Sequence, residues 1–177
     1  MLRLMGVFAL AAVAAGQTRY PNEIHAHAGG GWTYDDEGSI GTGVSVAGNL
    51  TRRLTSKVAV EGDVNYFRHK RELSFAVWKG TGVFATGNLL YHFTRSRVQP
   101  YVLAGIGLMV YNPDFAAESD NSTGWAWGFG FGIKGFITDR VSVRPEWRVY
   151  LGHPERNNGP EPPISHSRIT VGVGYRW

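Results

Sequence analysis

Cysteine is absent from the 177-residue chain, and charged residues make up only 18% of it. The first absence excludes disulfides, thiolate metal sites and thiol nucleophiles. The few basic residues are scattered and the formal net charge is a mild +4, so no nucleic-acid footprint is present. No apolar run is long enough to cross a bilayer as a helix, the stretch at 4–15 included. The mean hydropathy of -0.19 fits that absence. It excludes membrane helices but not membrane strands, because a barrel strand needs only about ten residues of alternating character. What abounds is glycine, with 24 residues, and aromatics at 13%. The glycines have no three-residue period, which excludes a collagen-like chain, and 43% hydrophobic content excludes a disordered one.

Residues 1–16 read as a secretory signal peptide. Arg3 supplies the positive start and residues 4–15 the short apolar stretch; Ala12-Val13-Ala14 or Ala14-Ala15-Gly16 supplies the small residues before cleavage. The mature domain is then 17–177. The other reading of this stretch is a buried N-terminal helix of the domain.

Eight segments of the mature domain alternate with period two: 23–33, 40–50, 57–68, 80–93, 100–111, 123–137, 141–151 and 166–177. In 141–151, Val141, Val143, Trp147, Val149 and Leu151 share one face, and Ser142, Arg144, Glu146, Arg148 and Tyr150 share the other. In 57–68, Val58, Val60, Val64 and Tyr66 oppose Glu61, Asp63 and Asn65. In 123–137, Trp125, Trp127, Phe129, Phe131 and Ile133 oppose Gly128, Gly130, Gly132 and Lys134. Large aromatics take one face while charge and glycine take the other. No segment has a helical period that would supply a covering layer, so lipid is the expected cover for the apolar face. The segment 100–111 is apolar on both faces, which leaves its register open, and Pro145 inside 141–151 predicts a bulge.

The connections alternate in length. Those at 34–39, 69–79, 112–122 and 152–165 are longer than those at 51–56, 94–99 and 138–140, as in barrels with short periplasmic turns and longer outer loops. Apolar-face aromatics stand at both ends of the strands. Trp32, Tyr66 and Trp125 are expected at the outer rim, and Tyr91, Phe93, Tyr175 and Trp177 at the periplasmic rim, as two aromatic girdles.

In 169–177, apolar residues recur at every second position (Ile169, Val171, Val173, Tyr175, Trp177) and the chain ends on an aromatic. This resembles the C-terminal signal by which outer-membrane barrels are recognised by their assembly machinery. The segment 139–150 resembles the seventh strand of small barrels of the OmpA and OmpX type, and Gln99-Pro100-Tyr101 with Gly105 and Gly107 resembles their fifth. The resemblance covers essentially the whole mature domain. It implies an all-β, eight-stranded, antiparallel up-and-down transmembrane barrel in the outer membrane of a Gram-negative-type bacterium, without room for the peptidoglycan-binding domain that follows the barrel in full-length OmpA-like proteins. It says little about activity.

An eight-stranded barrel leaves an interior that side chains just fill. The inward set includes Glu61, Asp63, Lys134, Arg144, Glu146, Arg148 and Arg168, and a carboxylate cluster of Glu61, Asp63 and Glu146 bridged by Arg144, Arg148 and Lys134 is expected to plug it. The inward glycines Gly128, Gly130, Gly132, Gly172 and Gly174 are expected to make room for the long Arg and Lys chains. A charged ion path is the rival reading of the same residues. Glu23, His25 and His27 share one face, with His92 inward at the same end; an H-x-H pair there is either a zinc ligand set or hydrogen-bonded lumen histidine. His166-Ser167 has the residue types of a lipid A-modifying enzyme, but neighbours on a strand face opposite ways. Gly30-Gly31-Trp32 matches a short lipocalin string, against an interior too charged for a lipocalin.

The expected function is therefore structural or surface-interacting: membrane integrity, adhesion or ligand contact through the outer loops, around a plugged lumen. The expected partners are outer-membrane lipid, lipopolysaccharide and, during biogenesis, the assembly machinery. No catalytic residue, metal or cofactor is assigned. A lipid A-modifying enzyme is the alternative, followed by a small pore and a soluble ligand-binding barrel.

Overall fold

The computed structural model describes residues 20–36, 38–73, 76–114, 122–156, 159–160 and 163–177; the leader expected over 1–16 lies outside them. They form nine strands: β1 (Asn22–Asp35), β2 (Gly38–Arg53), β3 (Val58–Leu73), β4 (Ala76–His92), β5 (Val98–Asp114), β6 (Ser122–Phe136), β7 (Val141–Arg156), β8 (Gly159–Pro160) and β9 (Ile164–Arg176). The eight long strands pair in the order β6-β5-β4-β3-β2-β1-β9-β7, and β6 pairs with β7 to close the sheet. β8 is a two-residue addition that pairs with Glu155 and Arg156 at the end of β7. Every pairing is antiparallel. Closure leaves no free edge, which is the only way a sheet satisfies its backbone in hydrocarbon.

The barrel is inside-out relative to a water-soluble protein. Inward residues are buried and outward ones exposed in alternation along each strand. The largest fully buried side chains are Arg144, Arg148 and Arg168, whereas Leu108 is 66% exposed and Val44, Leu89, Phe131 and Val173 also lie open on the outer face. A continuous apolar exterior of this kind calls for a lipid environment.

Two expectations need correction, and one open point is decided. First, the strands run further than their apolar faces. The connections expected at 34–39 and 69–79 are mostly paired strand: Asp35 faces Gly38, and Leu73 faces Ala76. The ladder also continues to Lys79 opposite Asp114, and past His153 to Glu155. Hydrogen bonding does not require an apolar face, so pairing continues where the outward residues turn polar. The core of the connection expected at 112–122 (residues 115–121) and part of the one at 152–165 lie outside the described residues. Second, Pro145 causes no bulge. β6 pairs Gly132 with Glu146 and Gly135 with Val143 in one register, skipping the two positions between, while Pro145 stays opposite Val171 of β9. The missing donor therefore costs local pairing rather than register. Third, β5 keeps one register on both sides, with Tyr101, Leu103, Met109 and Tyr111 inward and Val102, Ile106, Leu108 and Val110 outward.

The one register shift of the β1–β2 hairpin falls between Thr33 and Tyr34. Its return needs glycine at two places, Gly38 with φ 127° and Gly41 with φ 147°. The Asp35 carboxylate accepts the Gly38 N–H at 3.0 Å and fixes the turn. At the opposite end, where the described chain begins and ends, hydroxyls lock the short turns. Thr55 accepts the N–H groups of Lys57 and Val58, and Thr138 those of Arg140 and Val141.

Interior space is allotted residue by residue. A Cβ on Gly172 would stand 2.5 Å from the His27 ring, whereas one on the outward Gly62 would meet nothing within 4 Å. Gly172→Val is expected to destabilise the barrel by about 1–3 kcal/mol through overpacking. Gly62→Val is expected to leave stability unchanged. Urea titration of the folded, heat-modifiable gel band in micelles measures both.

Candidate functional site

The lumen is filled in three tiers. The tier nearest the termini rests on Glu23 of β1. Its carboxylate takes the Lys134 ammonium, and Arg53 Nε at 3.1 Å. Arg53 also donates to the Gln99 carbonyl at 2.5 Å. His25 lies 3.7 Å from Glu23 and 3.3 Å from the Ser142 hydroxyl.

The middle tier holds three guanidiniums and three carboxylates. Period-two spacing places Arg144, Glu146 and Arg148 on one face of β7, and Glu61 and Asp63 on the facing side of β3. Arg168 projects from β9 directly opposite Arg148. Glu146 is the hub. Arg144 (2.5 Å), Arg148 (2.9 Å) and Arg168 (3.0 Å) all donate to it, as does the Tyr101 hydroxyl (2.7 Å). Glu61 takes Arg144 at 2.5 Å, Arg148 at 2.8 Å and the Thr51 hydroxyl at 3.0 Å. Asp63 takes Arg168 at 3.1 Å, the Tyr150 hydroxyl at 2.5 Å and the Asn49 amide at 2.7 Å, with Arg148 3.2 Å away. The side chains of these six charged residues have no exposed surface. Equal charge and shared hydrogen bonds are what a buried cluster of this kind requires.

The third tier, towards the far end, is aromatic. Phe67 stacks on His166 at 4.1 Å and on Phe84 at 5.4 Å, and Phe84 stacks on Tyr150 at 4.5 Å. Met109, Tyr111 and Ile164 close the cluster. His166 Nδ1 lies 3.0 Å from the Thr33 hydroxyl, and His69 Nε2 3.3 Å from that of Tyr111.

The structure thus brings together Glu61, Asp63, Arg144, Glu146, Arg148 and Arg168. It does not bring Lys134 to them. Lys134 ends one tier lower, on Glu23, and Arg168 stands in the place expected for it. Faces are set by strand parity, but the depth of a side chain along the lumen is set by strand stagger, which places Lys134 level with β1's first residues. The inward glycines also serve a different purpose from the one expected. His27 lies over Gly172, His25 over Gly174 and the Tyr101 phenol over Gly132, so they chiefly seat flat rings against the wall. The arginines reach the axis from their own strands.

His25 and His27 share the inward face, 6.0 Å apart between ring centroids, and His27 lies 3.3 Å from the Thr170 hydroxyl. Among the described residues no three His, Asp or Glu side chains converge as metal ligands. His166 is stacked inside the barrel while Ser167 is on the other face of β9. Sequence reasoning missed Glu23 as an ion-pair partner, and the aromatic tier altogether. The parity that put Glu61 and Asp63 inside also puts Phe67 and His69 there, so that tier was readable by extending the pattern.

On the outer face, Tyr66 and Trp125 are exposed and Trp32 is half-buried towards the far end, with Trp125 stacked on His153 at 4.2 Å. Tyr91, Phe93, Tyr175 and Trp177 are exposed at the termini end. Ile169, Val171, Val173 and Tyr175 lie on the exposed face of β9, and Trp177, just past its end, is exposed as well.

Glu146→Gln is expected to cost about 3–5 kcal/mol, because it leaves three buried guanidiniums short of a charge. Tyr101→Phe removes one hydroxyl from the same cluster and is expected to cost about 1–3 kcal/mol. Denaturant titration in micelles should reproduce that order.

Residues 2–176 match the family model of the outer membrane protein beta-barrel domain. Comparison with curated proteins finds no match. Among solved structures, the Neisserial surface protein A (NspA) is similar with a TM-score of 0.70 and 19% identity, over 88% of this chain and 97% of that one. Ail of Yersinia pestis, in complex with the heparin analogue sucrose octasulfate, gives 0.61 and 12% over 89% and 99%. OprG of Pseudomonas aeruginosa gives 0.61 and 13% over 89% and 97%. At these identities the likeness speaks for the fold, and the family match covers nearly the whole length. The chain belongs to the outer membrane protein beta-barrel domain family.

Proposed function

We propose that this protein is a sealed outer-membrane barrel whose role is structural and surface-interacting. The observation that carries this reading is the filled lumen: a charge-balanced tier and an aromatic tier stacked on one another leave no aqueous path of porin width. The termini end faces the periplasm in this reading, after export through a cleaved leader, and the far-end hairpins stand outside the cell. The exposed aromatics at both ends serve as the interfacial girdles. The outward residues of β9, ending on Tyr175 and Trp177, serve as the signal read by the assembly machinery.

A cationic patch supports lipopolysaccharide as the lipid partner. On β3 the outward face passes from Val64 to Tyr66 to Arg68 to Lys70, all exposed, and Lys70 stands directly opposite exposed Lys79 of β4. Like charges facing across a ladder are unfavourable by themselves. Just beyond an interfacial tyrosine they lie level with phosphorylated headgroups, which relieve the repulsion.

In planar bilayers the protein is expected to show no steady conductance; a large, stable one overturns the sealed reading. Neutralising the pair with Lys70→Gln and Lys79→Gln should weaken lipopolysaccharide retention in micelles by roughly thirtyfold, from about 1 kcal/mol per cation near an anionic surface. Quantifying co-purified lipopolysaccharide by mass spectrometry tests it.

A further inference from the structure

The mouth at the termini end is a second concentration of positive charge, and it is concave. A cavity of about 400 Å³ opens there, lined by Arg53, Arg95, Arg176, Tyr20, Ser56 and Asp139 among others. The three guanidiniums come from three places: the end of β2, the β4–β5 turn and the last residue of β9. Two of them are held in place. Arg53 is fixed from within the lumen by Glu23 and Gln99. Arg176 donates to the Asp139 carbonyl, with its guanidinium 4.0 Å over the Phe136 ring and 5.4 Å over Tyr20. Arg95 is exposed, and no ion pair to another described residue satisfies it. The Ser56 hydroxyl adds a donor.

The charge does not balance. Beneath the cavity Glu23 is shared by two cations, Lys134 and Arg53, so it offsets only one of them. Among the described residues, the Asp139 carboxylate is then the one acid on the lining, against three arginines. Concave, cation-lined mouths focus field and concentrate anions. Guanidiniums converging from several directions suit a tetrahedral oxyanion with three or more acceptor oxygens better than a flat carboxylate.

We propose that this mouth binds a phosphate group, with Arg53, Arg95 and Arg176 as its cationic partners. The phosphate belongs either to a phospholipid headgroup of the adjoining leaflet or to a soluble phosphorylated compound. Only the assignment of that leaflet to the periplasmic side rests on the function proposed above.

The test uses the full barrel in maltoside micelles, which carry no phosphate, with pyrophosphate and phosphatidylglycerol as probes in calorimetric titrations. Arg95 makes no ion pair with another described residue, so Arg95→Glu should leave the heat-modifiable band intact, and Arg95→Gln serves if it does not. Saturable binding of either probe is expected, weakened about tenfold or more by R95E through loss of a charge-assisted contact. Arg97→Glu, the same charge change on the same turn but off the cavity lining, should change it little. Displacement of pyrophosphate by phosphatidylglycerol assigns the phosphate to the leaflet; failure to displace assigns it to a soluble compound. No saturable binding, or equal weakening by R95E and R97E, overturns the proposal. Because the measurement is made in micelles, it stands or falls independently of conductance and of membrane orientation.

Discussion

Closing eight strands into a cylinder sets the width of its interior, and everything else in this barrel answers to that constraint. The bore is too wide to be left empty and too narrow for a water channel of porin size, so side chains alone must fill it. The outer face belongs to lipid, and the alternation of strands then assigns every second residue to the bore. Here the fill is charged. Three arginines and three carboxylates share the middle, and Lys134 and Arg53 share Glu23 at one end. Apart from Arg53, which borders the mouth, these groups are buried, so each must find its counterpart across the bore.

Buried ion pairs of this kind are weak evidence for stability, since a well-packed apolar fill of the same volume is often as stable. Their contribution is to specificity. The exterior of this barrel is already apolar, so an apolar interior would make the two faces of each strand nearly interchangeable. A one-residue slip of β7 would turn Arg144, Glu146 and Arg148 into hydrocarbon and bring Val143, Trp147 and Val149 inside. Arginine at the bilayer midplane costs a barrel about 2–4 kcal/mol, so three charges on one strand weigh heavily against that slip. β5 carries no such mark, being apolar on both faces. Its register is set by its neighbours, Lys134 and Asn88, on the strands either side.

What was legible in the amino-acid sequence follows the same division. Period two is a local property, so the faces, the eight long strands and the inward position of the charged residues were readable residue by residue. Partnership across the bore is not local. It depends on strand tilt and stagger, which is why Lys134 lies a tier below the cluster and Arg168 takes its place. The strand ends were misjudged because the apolar face marks the membrane belt, whereas the ladder ends only where a turn demands it, as at Gly38. Pro145 was misjudged for a related reason. A closed sheet holds register from both neighbours at once, so two skipped pairings with β6 cost less than shifting the whole strand against β9. The rings over Gly172 and Gly174 belong to His27 and His25, and no pattern within either strand announces them.

A filled bore also decides where any chemistry is to be found. With side chains filling the lumen and an apolar belt around the outside, the polar surfaces left for recognition are the two rims. They differ in shape. At the far end the cations Arg68, Lys70 and Lys79 stand on the outer wall of hairpins that continue beyond the aromatic belt. They face sideways, away from the barrel axis. At the termini end the strands stop soon after their aromatics and hydroxyl-locked turns gather the arginines around the axis, so the charge faces inward across a cavity. Strand length beyond the belt, more than the number of charges, therefore separates a rim whose cations face outward from one whose arginines line a cavity.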